Sequence, residues 1–122
     1  MGCIMRHEKR FKVDESMVAK GIGLNVRVLS TPSLILAMEI TAHECILPEL
    51  SEFETTVGTG ICMRHLKPTK IGEEFTVVAE LIERNGRKLK FKVSAYDSQG
   101  KIGEGEHYRA IINKSEFESR LK

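Results

Sequence analysis

The stretch STPSLILAMEITAHECI at residues 30–46 decides the fold of this chain. A helix through it is apolar on nearly every side, so other elements must cover most of its surface. Ser30 or Thr31 can cap the first amide groups of the helix, and Pro32 suits the first turn, where its missing N–H is not needed. Pro48 disfavours helical geometry in the residue before it, which predicts the end of the helix. One long, largely buried helix is therefore predicted.

Glu39 stands at the centre of this apolar helix. Burying a carboxylate is costly unless it is paired with a basic group or its proton affinity is used in chemistry. One interpretation is structural: Glu39 forms an ion pair in the core or at a contact between two copies of the chain. The other interpretation is an acid–base or nucleophilic role. The helix by itself leaves both open.

Strand signals follow the helix almost to the end of the chain. In three stretches the side chains alternate, which places one set of each stretch on a single face of a strand. These sets are Val57, Thr59, Ile61, Met63 and His65 in the first stretch, Phe75, Val77, Ala79 and Leu81 in the second, and Leu89, Phe91, Val93 and Ala95 in the third. A fourth strand is predicted at residues 101–112, and a short one before the helix at residues 24–30.

The Asn-Gly pair at residues 85–86 predicts a hairpin between the second and third stretches. The apolar faces of the two strands match only if Leu81 is opposite Phe91. That register pairs Arg84 with Lys88. We therefore expect a loop longer than two residues, with a glycine bulge.

Length and composition fit one domain, because 122 residues with 41% hydrophobic side chains can build a substantial core. We expect a single domain over residues 1–122, with an irregular segment at 1–20 and a short helix at 115–122. One apolar helix followed by at least four antiparallel strands predicts an α+β fold in which a curved sheet wraps the helix, the architecture called the hot-dog fold. Such a sheet leaves part of the helix uncovered, so we expect a dimer with a pocket near its interface.

Charge and cysteine content narrow the function classes. Lys plus Arg at 19 and Asp plus Glu at 17 give a net charge of +2 with both signs interspersed, so no nucleic-acid partner is indicated. The cysteines, Cys3, Cys45 and Cys62, are widely spaced and lack a CxxC pair, which predicts neither a disulfide framework nor a metal site. An apolar signal core is missing, and no apolar run is long enough to span a membrane. We expect a soluble protein of the reducing cytoplasm.

Three side chains with complementary chemistry are candidates for catalysis. Thr31 lies eight residues before Glu39, on roughly the same side of the helix, and His65 lies on a following strand. Taken singly, Thr31 is a helix cap and His65 a structural histidine. Taken together, a hydroxyl, a carboxylate and an imidazole can activate a nucleophile or a water molecule. The residues leave open whether water, Glu39 or Thr31 attacks.

Two other histidines have structural interpretations. His43, one turn after Glu39, could hydrogen-bond to it, but a histidine near a helix end is typical of a surface position that complements the helix dipole. His107 shares a strand face with Arg109, and we assign it no catalytic role.

Several stretches of the chain stand at fixed spacings: Thr31, then Glu39, then VGTGICMRHLKPTKIGEEF with His65 twenty-six residues beyond Glu39, then AELIERNGRKLKFKVSAYD followed by GEGEHYRAII. With them the chain resembles a known family, the hot-dog thioesterases, and within it the fluoroacetyl-coenzyme A thioesterase group. The resemblance covers residues 20–112. Several spacings together are more specific than any one of them.

This resemblance implies hydrolysis of a short acyl-coenzyme A (acyl-CoA) thioester by homodimers or dimers of dimers, with the sites beside the interface. It implies that Thr31, Glu39 and His65 form the catalytic constellation. It also implies that Gly58, through its backbone, and Arg109 contact the acyl-CoA substrate. No cofactor is implied beyond the coenzyme A (CoA) that the substrate carries.

One feature departs from the family. The fluoroacetate enzyme has an aromatic lid ahead of its helix, whereas residues 12–52 contain no aromatic side chain. We therefore expect a short-chain or aliphatic acyl thioester rather than the fluoroacetyl group. Two alternatives stay open: a non-catalytic module that binds or senses acyl-CoA, and a hydratase, although the Asp and His signature of hot-dog hydratases is not visible.

Overall fold

The computed structural model describes residues 5–18 and 26–121 of the chain. Its main elements are β1 (Arg6–Lys12), α1 (Thr31–Ile46), β2 (Glu54–His65), β3 (Glu74–Asn85), β4 (Lys88–Asp97), β5 (Gly100–Asn113) and α2 (Lys114–Ser119), with short 3-10 turns at Glu15–Met17 and Leu47–Glu49. The strands form one antiparallel sheet in the order β1-β3-β4-β5-β2, so β1 and β2 are its edges.

Helix α1 begins and ends where the sequence predicts. The backbone N–H of Ser33 donates to Ser30 Oγ at 3.2 Å, which makes Ser30 the cap, and Pro32 lies in the first turn. The helix ends at Ile46, two residues before Pro48. A side-chain cap of this kind stabilises a helix by about 1 kcal/mol.

The concave face of the sheet packs against α1 to form the core. The buried helix residues are Leu34, Ala37, Met38, Thr41, Ala42, Cys45 and Ile46, and the inward residues of β3 and β4 are Phe75, Val77, Ala79, Leu81, Leu89, Phe91, Val93 and Ala95. Each large apolar side chain buried in this way stabilises the fold by about 1.5–3 kcal/mol. The predicted α+β architecture, a curved antiparallel sheet around one helix, is confirmed.

One face of α1 is not covered by the sheet. Leu36 is 57% exposed, and Glu39, Ile40 and His43 are half-buried on the same side of the helix. The edge strand β2 borders this face, since these helix residues line a common pocket with Thr55 and Thr56 of β2. A helix face of mixed apolar and polar side chains and an open strand edge therefore lie side by side.

The segment predicted to be irregular, residues 1–20, contains strand β1. In β1, Phe11 stacks on an inward aromatic ring of β3 with the ring centroids 5.3 Å apart. The other inward side chains, His7 and Lys9, contact the Glu44 carboxylate of α1 at 3.0 and 2.9 Å. The prediction is wrong because a strand with charged inward side chains lacks the apolar alternation by which strands are recognised in a sequence.

The strand predicted at residues 24–30, whose first two residues lie outside the described part of the chain, is also wrong. Val28 and Leu29 make only isolated bridges, to Lys70 and Val18 respectively. The segment therefore touches two neighbouring loops as it leads into α1, without joining the sheet.

The hairpin between β3 and β4 has the predicted register in the body of the sheet but a different turn. Leu81 is opposite Phe91, as predicted. Near the turn, however, Asn85 pairs with Lys88, so the loop has only two residues and the predicted longer loop is wrong. Ile82 is the extra residue of a β-bulge, which absorbs the register shift inside the strand rather than in the loop.

A second bulge changes the faces of β2. Thr59 is an extra residue between Gly58 and Gly60, where the pairing with β5 shifts by one. Side chains before the bulge therefore alternate in the opposite phase to those after it. Val57 lies on the face opposite to Ile61, whereas the alternation predicted a single face. One inserted residue inverts the phase, since the side-chain period of a strand is two.

The carboxyl-terminal helix α2 (Lys114–Ser119) is shorter than the stretch expected at residues 115–122, the last of which lies outside the described part. Asn113 caps this helix by accepting a hydrogen bond from the Glu116 N–H at 3.1 Å. Within residues 5–18 and 26–121, no helix is long and apolar enough to cross a membrane.

Candidate active site

The first cluster of candidate residues lies at the amino-terminal end of α1. Thr31 is in the first turn of the helix and His65 is the last residue of β2. Thr31 Oγ1 and His65 Nδ1 share a hydrogen bond at 2.9 Å. They line a pocket with Val28, Leu29, Ser30, Leu66, Lys67 and Pro68. The structure thus brings two of the predicted catalytic residues into contact.

The second ring nitrogen of His65, Nε2, is buried and has no hydrogen-bond partner among the described residues. Burial lowers the pKa of His65, because desolvation disfavours the charged imidazolium. A neutral imidazole that is held at Nδ1 and free at Nε2 can take a proton from water or give one to a leaving group.

The second cluster surrounds Glu39. Arg109 Nη1 donates to Glu39 Oε2 at 3.2 Å. A Cβ atom on Gly58 would lie only 2.6 Å from that same oxygen, so β2 approaches the carboxylate closely because it carries glycine there. The Glu39 side chain keeps 37% of its surface exposed, whereas Arg109 keeps 9%. Glu39 is therefore ion-paired and also open on the uncovered face of α1.

Arg109 is held by more groups than Glu39 alone. Its Nε donates to Thr56 Oγ1 at 2.8 Å and its Nη2 to the Thr56 carbonyl at 3.1 Å. Its Nη1 donates to Glu39 and also to His107 Nε2 at 3.1 Å. Four of the five N–H groups of the guanidinium are thus engaged. Burial lowers the pKa of Arg109, and the Glu39 carboxylate opposes that shift. This arrangement makes Arg109 a rigid support for the carboxylate.

His43 takes part in the same network, but not as the sequence suggested. Its Nδ1 lies 2.7 Å from Thr56 Oγ1, rather than on Glu39. Burial lowers the pKa of His43, and the charge of Arg109 lowers it further. A pocket along the uncovered helix face is lined by Leu36, Glu39, Ile40, His43, Glu44, Thr55, Thr56 and Arg109. His43 therefore lines that pocket and is not a surface residue that only complements the helix dipole.

Thr56 was not among the predicted site residues, and His107 was assigned no catalytic role. Neither residue type stands out by itself, and Thr56 reaches Arg109 from fifty-three positions away. The available signal was the shared strand face of His107 and Arg109, which is observed: both side chains are buried, at 2% and 8% exposure. A buried arginine needs acceptors on every side, so its neighbours on that face are expected to be polar.

The predicted constellation of Thr31, Glu39 and His65 is not assembled within one chain. Eight residues of helix separate Thr31 from Glu39 by about 12 Å along the axis. Sharing one side of the helix therefore does not bring the two side chains together. The chain instead presents two separate clusters: Thr31 with His65, and Glu39 with Gly58 and Arg109. Among the residues described, no cluster of side chains could hold a metal ion.

Comparisons with known proteins match the chain to one group of enzymes. A family model for fluoroacetyl-CoA-specific thioesterases matches residues 13–115. The fluoroacetyl-CoA thioesterase of Streptantibioticus cattleyicolor is 36% identical over 95 residues, which are 78% of this chain and 68% of that protein. A crystal structure of a variant of the fluoroacetyl-CoA-specific thioesterase superposes with a TM-score of 0.91 at 30% identity, over 99% of this chain and 95% of that one. Another, in complex with fluoroacetate and CoA, gives 0.87 at 30% identity, over 93% and 94%.

Proposed function

The chain belongs to the family of fluoroacetyl-CoA-specific thioesterases, thioester hydrolases of the hot-dog fold, and we propose that it hydrolyses a small acyl-CoA thioester. The observation that carries this proposal is the Glu39 carboxylate, which Arg109 holds in place beside Gly58 and which stays open to a ligand. A module that only bound an anionic CoA ester would gain nothing from a negative charge at that position.

In the proposed chemistry the two clusters, Thr31 with His65 and Glu39 with Gly58 and Arg109, are the half-sites of one active site. The carbonyl carbon of the thioester is attacked either by water, with Glu39 as general base, or by Glu39 itself. The Gly58 region of β2 offers backbone N–H groups to the developing oxyanion, because the missing side chain permits close approach. The C–S bond then breaks. On the water route, the proton that Glu39 removed from water passes to the departing thiolate, directly or through the His65 imidazole, which leaves the carboxylic acid and free CoA. On the Glu39 route, the acyl group stays on Glu39 as an anhydride, and water then hydrolyses this anhydride to the carboxylic acid and the free Glu39 carboxylate.

A homodimer would bring the two half-sites together. The open edge of β2 and the uncovered face of α1 around Leu36 adjoin one another, and a two-fold partner would cover both at once. In an antiparallel pair of α1 helices centred at residue 35, Thr31 of one helix is level with residue 39 of the other. The exposed Leu36 lies close to that centre. We therefore place Thr31 and His65 of one protomer opposite Glu39 of the partner subunit.

The proposed acyl group is short-chain or aliphatic. The pocket beside Thr31 has the aliphatic side chains Val28, Leu29, Leu66 and Pro68 in its walls. Residues 12–52, which include the segment that leads into α1, contain no aromatic side chain. The apolar surface of such a pocket favours binding of an alkyl group. It does not distinguish one small polar substituent, such as fluorine, from another. As the location we propose the cytoplasm, where Cys45 and Cys62, both free, would stay reduced.

Release of free thiol from a panel of acyl-CoA thioesters tests the function. The panel contains acetyl, fluoroacetyl, butyryl, branched, octanoyl and benzoyl esters, and the signal is the absorbance of a thiol reagent. We expect release from the short-chain or aliphatic esters above the rate without protein. Release from none of the esters, together with measurable binding of CoA, would replace the thioesterase by an acyl-CoA binding or sensing module.

Gly58→Ala is expected to lower kcat/KM about a hundredfold, the usual effect of a displacement of roughly 1 Å in a reacting group. The added Cβ would lie 2.6 Å from Glu39 Oε2 and 3.3 Å from Arg109 Nη1, so the carboxylate must move. Thiol release from the best ester of the panel measures the effect.

The matched control for this substitution is Gly60→Ala in the same strand. A Cβ at Gly60 would meet its nearest neighbour, Tyr108 Cδ2, at an ordinary 3.7 Å. The control should keep kcat/KM within about threefold, as an unstrained surface change does. Equal losses in both variants would point to a distortion of β2 rather than to a displaced carboxylate.

A further inference from the structure

We infer that His107 is a positioning residue of this site: its neutral imidazole ties Arg109 to the bulge of β2 and so fixes the Glu39 carboxylate. The inference rests on the proposed function, since it adds a residue to the same site. His107 lies on β5 and is 2% exposed, so it does not meet the substrate itself. It acts through the two polar groups that it contacts.

The protonation of the imidazole follows from these two partners. Nδ1 lies 2.9 Å from the carbonyl oxygen of Gly60, which can only accept, so Nδ1 carries a hydrogen and donates it. Nε2 lies 3.1 Å from Arg109 Nη1, which can only donate, so Nε2 is unprotonated and accepts. His107 is therefore neutral, with its hydrogen on Nδ1.

Through these bonds His107 joins the two elements that place Glu39. Gly60 ends the bulge that begins at Gly58, and its carbonyl is held by the imidazole. Arg109 Nη1 donates to His107 and Glu39 at once, so the imidazole fixes the rotation of the guanidinium plane. Without an acceptor at this point, one N–H of Arg109 would be buried and unpaired, and the guanidinium could turn away from the carboxylate.

Protonation of His107 would break this arrangement, because a second N–H would then face the guanidinium. Burial lowers the pKa of His107, the bond to the Gly60 carbonyl opposes that shift, the charge of Arg109 lowers the pKa further, and the Glu39 carboxylate raises it. Within the described part of the chain, the charged groups that act on the ring are Arg109 from its own strand and Glu39 from α1. The surroundings thus favour the neutral form that the geometry requires.

Two substitutions separate positioning from simple core filling. His107→Leu keeps an apolar volume but offers Arg109 no acceptor. His107→Gln keeps a donor and an acceptor at similar reach and carries no titratable group. We expect His107→Leu to lower kcat about tenfold or more, with KM changed less than about threefold, and His107→Gln to restore most of the kcat. Thermal unfolding of each variant shows whether the fold is retained.

The hydrogen on the ring can be observed directly in the wild-type protein. Nitrogen-15 NMR of the imidazole groups distinguishes the two neutral forms and the imidazolium. We expect His107 in the neutral form with the hydrogen on Nδ1 from about pH 6 to pH 8, a range in which an unperturbed histidine titrates. This measurement needs no substrate, so it tests the assignment even if the wild-type protein releases no thiol.

Three results would overturn the inference. The first is a folded His107→Leu variant with wild-type kcat, which would make the residue a core filler. The second is a His107 ring that is charged near pH 7 or carries its hydrogen on Nε2. If His107→Leu does not fold, a His107→Gln variant that folds but loses kcat as strongly as a site residue would contradict the expected rescue. Absence of thiol release in the wild type would instead overturn the proposed function.

Discussion

Replacing Glu39 with Gln is expected to lower kcat/KM about a thousandfold, with the fold retained. The amide has nearly the shape of the carboxylate, and its oxygen can still accept from Arg109, so packing changes little. It can neither take a proton from water nor attack a carbonyl carbon, and loss of such a group typically costs a factor of about 10²–10⁴. Thiol release at subsaturating ester and thermal unfolding measure the two effects.

The same helix supplies a matched control, Glu44→Gln. Glu44 is also an ion-paired carboxylate of α1, but its partners are His7 and Lys9 of the edge strand β1. Those partners hold the pKa of Glu44 below its usual value, with Lys9 as the larger cause. Because the pair is partly exposed, we expect a loss of only about 0.5 kcal/mol in the free energy of unfolding. Glu44 also lines the pocket that contains Glu39, so kcat/KM should change by up to about threefold, far less than in Glu39→Gln. Wild-type turnover in Glu39→Gln would remove the proposed mechanism.

Mixing two inactive variants is expected to restore activity. If each site combines His65 of one protomer with Glu39 of the partner subunit, a mixed dimer of Glu39→Gln and His65→Ala has one intact site. The other site carries both substitutions. Random pairing makes half of the dimers mixed, and half of their sites intact, so about a quarter of the wild-type rate should return. Relative to parents that are about a thousandfold impaired, the gain is about 250-fold.

The mixing experiment needs proof that mixed dimers form. The two variants carry different affinity tags, are co-expressed, and are purified through both tags in turn. Doubly tagged dimers should then reach about half of the wild-type rate. Each parent, prepared in the same way with both tags, should stay inactive. Doubly tagged dimers without activity would place the whole site within one protomer, and a monomeric protein would exclude the arrangement altogether.

Local chemistry explains which parts of the fold could be predicted. The cap at Ser30 and the proline at position 48 define α1 within the helix sequence itself. The register that sets Leu81 against Phe91 follows from matching two apolar faces. The extra residues of the bulges, Ile82 and Thr59, could not be found in this way. A bulge is set by how two strands fit, and the alternation of either strand alone does not reveal it.

Long-range pairing explains what was missed in the site. Glu39 and Arg109 are seventy positions apart, and the position of either one depends on the whole sheet. A carboxylate in an apolar helix is expected to have a partner, but the helix sequence does not show which residue that is. The separation of Thr31 from Glu39 was also missed, because it depends on the axial distance along α1. Helical periodicity shows which residues lie on the same side of a helix, but it does not show whether their side chains are close enough to touch.

The charges on β1 have a consequence for how far assembly can proceed. A flat sheet with two bare edges can add further copies at both ends and grow into a fibre. Here the edge strand β1 is charged on both faces. His7 and Lys9 face the helix and contact Glu44. The outward side chains are Arg6, Glu8, Arg10 and Lys12. Of the two edge strands, only β2 is then favourable for pairing with another copy. If two copies associate through β2 as proposed, association stops there, because each copy has one such edge and the charged side chains of β1 disfavour the addition of a third copy.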